Sequence, residues 1–272
     1  LHRLIRRQRQ MCIRDRFEVF EKNWLEKGIF HTPHGGGCVP GSPIAQKVEE
    51  AIKRGDYAKE RGLEKIMDAF GFYGLAWNRT MIVNTGFFTT INELNVREVS
   101  RATLEARKNA HYVARFLKKY MSGFENAFII ATAPELGVRY TRWIEGEYTL
   151  TREERDRGVK FDDVIAVGAI WEARDGKTLR GKFEIPYRCM IPKRVDGLIV
   201  ASGKSVSTEP RGLLRAQVHC MLLGEAAGTA AALCAKSGVV PRSLNIRELQ
   251  KTLLKQGVYL GDEKRLKELN LI

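Results

Sequence analysis

The residues best suited to chemistry lie in one stretch, 197–235, where an apolar segment runs into a loop and then into a helix rich in small residues. The letters LIVASGKS predict a buried strand at 198–201 that leads directly into Gly203. A helix is predicted over 213–237, and the small residues assigned to its N-terminal part are Gly224, Ala226, Ala227 and Gly228. Glycine costs helix stability, so it suits a place where a backbone or a flat ligand approaches closely. A helix N-terminus also offers free N–H donors to an anion. Spacing alone leaves a second interpretation open, which is tight packing of this helix on a sheet.

Two arginines three positions apart form a second candidate site. Arg139 and Arg142 could together hold a carboxylate through bidentate hydrogen bonds. They could also form structural ion pairs with Glu145 or Glu147, and this is the interpretation that we favour. A metal site is not predicted, because nothing near His31 and His34 completes a ligand set.

Composition limits the class of protein. The 272 residues carry a formal net charge of +14, and the basic residues are spread along predicted helices. This distribution is typical of solvated helix faces, and we expect no nucleic-acid partner because no basic block with interleaved aromatics occurs. The cysteines show no CxxC spacing, which favours free thiols and a cytoplasmic location. No apolar run reaches the roughly 18 residues that a membrane span needs.

The first residues have a pattern of their own. Back-translation of RRQRQMCIRDR, residues 6–16, reproduces the adapter of a transposase-based sequencing library. We therefore expect residues 1–16 to be translated adapter, and the natural chain to begin at Phe17 where a sequencing read was cut. On this hypothesis a signal peptide of the natural chain stays an open question. The alternative is a basic arm or targeting segment.

Hydrophobic periodicity predicts the surrounding elements. The clearest is an amphipathic helix over 96–120 with a basic outer face. The segment 162–171 is apolar enough for a strand or a buried helix, and Thr151 with Glu154 forms a predicted capping box. A last amphipathic helix is predicted over 244–256.

The C-terminal half resembles the FAD-dependent oxidoreductases related to the fumarate reductase and succinate dehydrogenase flavoproteins. Their signature DIPYR-x-LVPKGVDNLLVAGRCIS, an Arg and C-M-x-x-G-x-AAGTAAAL is matched by EIPYRCMIPKRVDGLIVASGKSVS, Arg215 and CMLLGEAAGTAAAL. The likeness is good over 80–272 and poor over 17–79. It implies an α/β fold with an α+β cap: a partial Rossmann-like FAD-binding domain with an inserted substrate or cap domain. Residues 17–180 would be the cap region and 181–272 the C-terminal part of the FAD domain. The N-terminal FAD half, with its G-x-G-x-x-G turn, is expected to be missing.

The same resemblance implies which residues touch the cofactor, FAD. The turn at the flavin ring corresponds to Ser202, Gly203, Lys204 and Ser207, and the arginine before the last helix corresponds to Arg215. The N-terminal turn of that helix, over the ring, corresponds to Gly224, Ala226, Ala227 and Gly228. A helix N-terminus there would stabilise the negative charge that a reduced flavin carries at its N1–C2=O edge.

Candidates for catalysis follow from the resemblance less directly. Arg139 and Arg142 stand where the family has paired arginines, and Arg188, beside Tyr187, leads toward the flavin. Glu209 lies near the place of a family histidine that this chain lacks. The implied reaction is hydride transfer between a small organic substrate and N5 of FAD. Two alternatives remain: a flavoenzyme of the geranylgeranyl-reductase or halogenase type, and a non-catalytic module that keeps the fold.

Overall fold

The computed structural model describes residues 8–12, 43–56, 71–75, 80–84, 91–138, 141–174 and 177–272. The predicted loop with His31 and His34 lies outside the described residues, as does Arg139. The chain forms two compact units, Leu1–Val138 and Arg139–Ile272. The boundary predicted between 180 and 181 falls within the strand Lys177–Pro186, which is paired with the strand before it. The assignment of a cap region and an FAD domain stays a prediction.

The first unit contains a four-stranded antiparallel sheet in the order β2–β3–β1–β4. The strands are β1 (Gln8–Cys12), β2 (Gly71–Leu75), β3 (Thr80–Asn84) and β4 (Phe128–Ala131). Strand β1 falls within 1–16, which we had expected to stand outside the fold. It pairs through main-chain hydrogen bonds, which depend only weakly on the type of side chain. The adapter origin of residues 1–16 stays a prediction.

The helices described in this unit are α1 (Pro43–Lys53) and α2 (Val96–Tyr120). The helix predicted over 96–120 is confirmed at both ends. Asn95 caps its N-terminus, where its side chain accepts a hydrogen bond from the Arg97 N–H at 3.1 Å. One face is buried, as the spacing predicts, and includes Ala102, Ala110, Val113, Phe116, Leu117 and Tyr120.

The second unit is built around an antiparallel hairpin of β6 (Val164–Arg174) and β7 (Lys177–Pro186), which decides between strand and helix for 162–171. A short parallel pair joins β5 (Leu150–Thr151) to β8 (Thr208–Glu209). All other strand pairs among the described residues are antiparallel. The Rossmann-like parallel sheet therefore stays a prediction. Helix α3 (Arg152–Arg157) begins at Thr151 with the predicted capping box to Glu154.

Three helices complete the second unit: α4 (Gln217–Ser237), α5 (Ile246–Lys255) and α6 (Glu263–Glu268). Helix α5 is the last helix that periodicity predicts, and α6 is too short to give a periodic signal. Helix α4 packs on β6 and α5. It begins later than predicted, because the residues before it form turns in which the Leu213 N–H donates to the Pro210 carbonyl and the Arg215 N–H to the Gly212 carbonyl.

Two buried polar groups fix the helices to the hairpin. Gln250 of α5 donates to the carbonyl oxygens of Asp162 at 2.8 Å and Val164 at 3.0 Å. Arg265 of α6 pairs with Glu184 of β7 at 2.9 Å, and both side chains are buried. A buried charge without its partner is strongly destabilising, and a buried amide without its hydrogen bonds is also unfavourable, so these contacts favour the observed positions of α6 and α5.

Helix α4 is also long and apolar enough to cross a membrane by length and composition alone. An 18-residue stretch has a mean hydropathy of 1.4, and 33% of it is buried. The helix is not an unbroken apolar run, because Glu225 interrupts it. In the structure one side of the helix packs against β6, as the core helix of a folded domain does.

Candidate functional site

The centre of the predicted site is the turn at 202–205. The Lys204 N–H donates to the Ser202 Oγ at 3.3 Å, and the Ser205 N–H donates to the Ser202 carbonyl at 2.8 Å. A Cβ added to Gly203 would lie 1.8 Å from the Leu214 carbonyl oxygen and 3.1 Å from the Arg215 nitrogen. Only glycine fits there without movement of the backbone. The structure therefore brings the predicted residues Gly203, Lys204 and Arg215 to one place, beside the entry to α4.

The N-terminus of α4 is open at this point. Its N-cap residue, Ala216, makes no side-chain capping hydrogen bond, and Ala216, Gln217 and Val218 are exposed. The first-turn N–H groups of a helix have no partner within the helix, and the helix dipole makes this end attractive to negative charge. An anionic group could therefore be bound next to Gly203.

The segment 141–149 lies beside the turn. The Ile144 N–H donates to the Ser205 carbonyl at 2.8 Å, and the Thr149 and Ser207 hydroxyls are 2.8 Å apart. Across this contact the guanidinium carbon of Arg211 lies 3.4 Å from the centre of the Trp143 ring. The segments that meet here are rich in basic residues: Arg142, Lys204, Arg211 and Arg215.

A groove of about 650 Å³ runs between the segment 197–201 and α4. Leu198, Ile199 and Ala201 lie on one side, and the residues of α4 that line the other side include Gly224, Ala227, Gly228 and Ala231. A Cβ added to Gly224 or Gly228 would meet no atom within 4 Å. These two glycines therefore face open space, so tight packing on a sheet does not explain them. That interpretation does hold for Ala226, which is fully buried.

The predicted buried strand at 198–201 is wrong. The segment has no strand assignment, and Leu198 keeps 43% of its surface exposed. Its backbone is held at Val200, whose N–H donates to the Met190 carbonyl at 2.9 Å. In the described part of the chain no strand pairs with it, so the apolar run forms a wall of the groove.

The predicted position of the glycines along the helix is also wrong. Because α4 begins at Gln217, Gly224 lies about two turns and Gly228 about three turns from the N-terminus. The helix dipole acts within the first turn. Its stabilising effect on an anion is therefore available near Ala216 and Gln217.

Three of the predicted cofactor residues are core residues. Ser207 is buried, and its main chain donates to the Cys189 carbonyl at 2.9 Å while its hydroxyl contacts Thr149. Ala226 and Ala227 are buried in the hydrophobic core of the second unit, and Ala227 also lines the groove.

Arg188 and Tyr187 are engaged in structural contacts. The Arg188 Nε donates to the Asp163 Oδ2 at 2.9 Å, and its guanidinium lies 5.0 Å from the centre of the Tyr148 ring. The hydrogen bond to Asp163 raises the pKa of Arg188 above its usual value. Tyr187 is buried, and its hydroxyl donates to the Pro241 carbonyl at 3.1 Å. Contact of these two side chains with a flavin or a substrate stays a prediction.

The other catalytic candidates among the described residues, Arg142 and Glu209, lie at the surface. Glu209 is exposed on β8, and the peptide bond that follows it, to Pro210, is cis. Arg142 is exposed and forms no ion pair within the described residues. The acidic partners proposed for it are taken by other cations: Glu145 pairs with Lys193 and Arg194, and Glu147 pairs with Arg242. The favoured ion-pair interpretation is thus wrong for Arg142.

Other titratable groups in this unit have structural roles. His219 is buried against Phe183, with ring centres 5.3 Å apart. Cys189, Cys220 and Cys234 are free thiols, as predicted, and burial raises the pKa of Cys189. Within the described residues no cluster of His, Cys, Asp and Glu could hold a metal ion.

Sequence reasoning missed Trp143 and Arg211. Trp143 is adjacent to the candidate Arg142, and Arg211 is two positions after the candidate Glu209. The stacking of these two side chains joins segments that are far apart in the chain. The available signal was weak: an aromatic residue beside Arg142 and a further cation in the short loop before α4.

Comparison with known proteins shows the family to which the chain belongs. No curated protein and no solved structure matches the chain. The model of one family, described as FAD dependent oxidoreductase, matches residues 37–253. The match includes the turn at 202–205, the groove and α4, and the mixture of helices and strands is consistent with an α/β fold. Because the match covers more than half of the chain, the protein belongs to the FAD-dependent oxidoreductases, and its cofactor is FAD.

Proposed function

We propose that the protein transfers a hydride between a small organic substrate and N5 of FAD, and that it is related to the fumarate reductase and succinate dehydrogenase flavoproteins. Bound FAD supplies the hydride acceptor or donor. The share of the protein is to hold the ring, to balance its charge and to keep water away from it.

One observation carries this proposal: the turn at Gly203 is packed against the residues that lead into α4. Two sources of positive potential meet there, which are the open N-terminus of the helix and the cations Lys204 and Arg215. A site of this kind suits a group that becomes negative on reduction. Lys204 stands where the family signature has arginine, so it supplies the charge without the planar fork.

The glycine face of α4 supports the same proposal. Glycine inside a helix costs roughly 1 kcal/mol relative to alanine, and neither Gly224 nor Gly228 gains a packing contact in return. The space that they leave belongs to a groove with apolar walls. A flat ring system could lie against such a surface because no Cβ stands in its way.

Titration of the purified protein with FAD tests the proposal. We expect saturable quenching of flavin fluorescence and a flavin absorbance spectrum that stays with the protein through gel filtration. Lys204→Gln should weaken FAD binding by about tenfold, because a hydrogen bond to a charged group contributes roughly 1.5 kcal/mol or more. A well-folded protein that leaves flavin fluorescence unchanged at every FAD concentration would contradict the proposal.

Glycine variants test the role of the turn at 202–205 in FAD binding. Gly203→Ala forces a Cβ into the Leu214 carbonyl and should abolish FAD binding. Gly181→Ala is the matched control, because its Cβ would meet only the Ile170 Cδ1, at an ordinary 3.6 Å. Circular dichroism on both variants shows whether a loss of binding reflects unfolding, and Lys204→Gln keeps the test valid if Gly203→Ala does not fold.

A further inference from the structure

One wall of the groove begins in a stretch of chain that has few contacts of its own. This wall is the segment 197–201, and the residues that lead into it, 193–197, are all exposed. Among the described residues, the main chain from 194 to 199 forms no hydrogen bond with another main-chain group. Val195 and Leu198 keep 51% and 43% of their surface exposed, so packing does not fix the stretch either.

The side chain of Arg242 supplies contacts to this stretch. Its Nη2 donates to the carbonyl oxygens of Pro192 at 2.6 Å and Lys193 at 3.1 Å, and its Nε donates to the Asp196 Oδ1 at 2.9 Å. The remaining nitrogen, Nη1, pairs with the carboxylate of Glu147. All three guanidinium nitrogens are therefore engaged, in hydrogen bonds that are stronger than neutral ones because the donor is charged.

Arg242 is itself held in a fixed place beside the groove. It belongs to the short 3-10 helix Pro241–Ser243, and residues 239–241 line the groove, whereas Arg242 does not. Pro241 is buried, and its carbonyl accepts a hydrogen bond from the Tyr187 hydroxyl at 3.1 Å. A helix anchored in the core thus holds, through one arginine, the loop that leads into the wall.

A wall that is held in advance lowers the cost of binding a flat ligand, because less conformational freedom is lost when the ligand enters. Without such a hold, only a fraction of the molecules has the wall in place at any moment. Apparent affinity then falls in proportion to that fraction. The loss lies in association, because a ligand can enter only the molecules whose wall is in place.

We propose that Arg242 is a positioning residue, which holds the wall 197–201 at the distance from α4 that the flavin ring needs. The inference rests on the proposed function, because the ring of FAD is the ligand expected in this groove. Arg242 acts through the loop 192–196 and does not touch the cofactor.

Stopped-flow flavin fluorescence with the 272-residue protein and FAD tests this role. Arg242→Ala should lower the association rate constant by about tenfold, since several hydrogen bonds to a charged group are lost. The dissociation rate constant and the absorbance spectrum of the bound flavin should stay unchanged, because the competent conformation is the same. Urea denaturation shows whether the variant is folded. A merely structural arginine would lower the urea midpoint without slowing association in a folded sample.

Variants of Asp196 test the same contact from the other side. Asp196→Ala should lower the association rate constant by about threefold, in line with an exposed ion pair. Asp196→Asn keeps an oxygen acceptor for the Arg242 Nε and should restore most of the rate. Arg242→Lys should recover little, because one ammonium group cannot replace three guanidinium nitrogens.

Two arginines provide matched controls. Arg194→Ala removes an exposed cation of the same loop, which contacts Glu145 at 3.5 Å, and so measures the effect of lost charge alone. Arg247→Ala removes an arginine of α5 that donates to the Gln250 Oε1 at 3.0 Å and does not line the groove. Both variants should bind FAD at the rate of the unchanged protein.

The positioning role is refuted by an unchanged association rate in Arg242→Ala, by an equal loss in Arg194→Ala, or by a loss confined to the dissociation rate. If Arg242→Ala does not fold, the two Asp196 variants decide the question, because Asp196 is exposed. A folded, unchanged protein that does not bind FAD refutes the proposed function itself. FAD binding that is indifferent to Arg242 and Asp196 refutes the positioning role alone.

Discussion

Helix α4 has two faces that are similar in composition and opposite in environment. Its buried face packs against β6 and α5 and carries His219, Leu223, Ala226, Ala230 and Cys234. Its other face lines the groove with Gly224, Gly228 and Ala231. Small residues dominate both faces. On the buried side the alanine methyl groups fill space between elements, but on the groove side a methyl group at either glycine would touch nothing.

The difference shows what each small residue is for. Ala226 and Ala230 are fully buried, and their size is set by the distance between the helix and the hairpin. Gly224 and Gly228 have no such neighbour, and the proposed flavin ring in the groove would account for their size. Substitutions on the buried face should therefore change folding stability, and substitutions on the groove face should change FAD binding.

The largest effect should come from a cavity on the buried face. Leu223 is fully buried, and Leu223→Ala should lower the free energy of unfolding by about 3 kcal/mol in urea denaturation. Met221, on the exposed side of the same helix with 73% of its surface accessible, is the matched control. Met221→Ala should change stability by less than about 0.5 kcal/mol. Equal losses in the two variants would mean that the faces do not differ.

A larger side chain should lower folding stability on the buried face of α4 and FAD affinity on its groove face. Ala230→Leu overpacks the core and should cost about 2 kcal/mol of stability. Ala231→Leu, one position further on, lines the groove and should leave stability within about 0.5 kcal/mol of the unchanged protein while lowering FAD affinity. Urea denaturation and FAD titration of the pair measure this. Unchanged FAD affinity in Ala231→Leu would argue against a ring in the groove.

The buried face should also make stability depend on pH. Burial lowers the pKa of His219 below its usual value, and its Nε2 lies 3.2 Å from the Ala169 carbonyl while its Nδ1 is buried without a partner. The unfolded chain, with an ordinary pKa near 6.5, then takes up the proton more readily than the folded protein. Stability should be full above this pH and should fall as the pH drops below it.

The histidine contribution can be isolated by substitution. Between about pH 7.5 and pH 5.5 the unchanged protein should lose about 1 kcal/mol more than His219→Gln, which keeps a hydrogen-bond donor but does not titrate. His111→Gln, at an exposed position of α2, is the control and should follow the unchanged protein. Thermal unfolding across this pH range gives the comparison. Parallel pH profiles for all three proteins would contradict a buried neutral His219.

Local patterns in the sequence predicted the elements that local forces decide. The helix at 96–120 follows from apolar spacing, and the start of α3 follows from the capping box of Thr151 and Glu154. In each case the residues that interact are within a few positions of one another, so the sequence contains the whole interaction.

Non-local interactions account for the errors. An apolar run at 198–201 predicts burial only if another strand pairs with it, and the run carries no information about that strand. Arg142 had two glutamates within reach, but cations from elsewhere in the chain bind them. The stacking of Arg211 on Trp143 was missed for the same reason. The sequence shows which residues are charged or aromatic, but it does not show which partner each of them contacts.

The smallest change in folding stability is expected on the groove face, where stability and FAD affinity should change in opposite directions. Gly228→Ala adds a methyl group that meets no atom within 4 Å, and alanine favours the helix. The variant should gain about 0.5 to 1 kcal/mol of stability, because the unfolded chain also loses freedom. If a flavin ring lies against α4, the same methyl group should weaken FAD binding. Tight packing would instead make the substitution destabilising, and an empty groove would leave FAD affinity unchanged. A gain in stability together with a loss of FAD affinity is expected only if the glycine is kept for the ligand, so urea denaturation and FAD titration of this one variant distinguish all three.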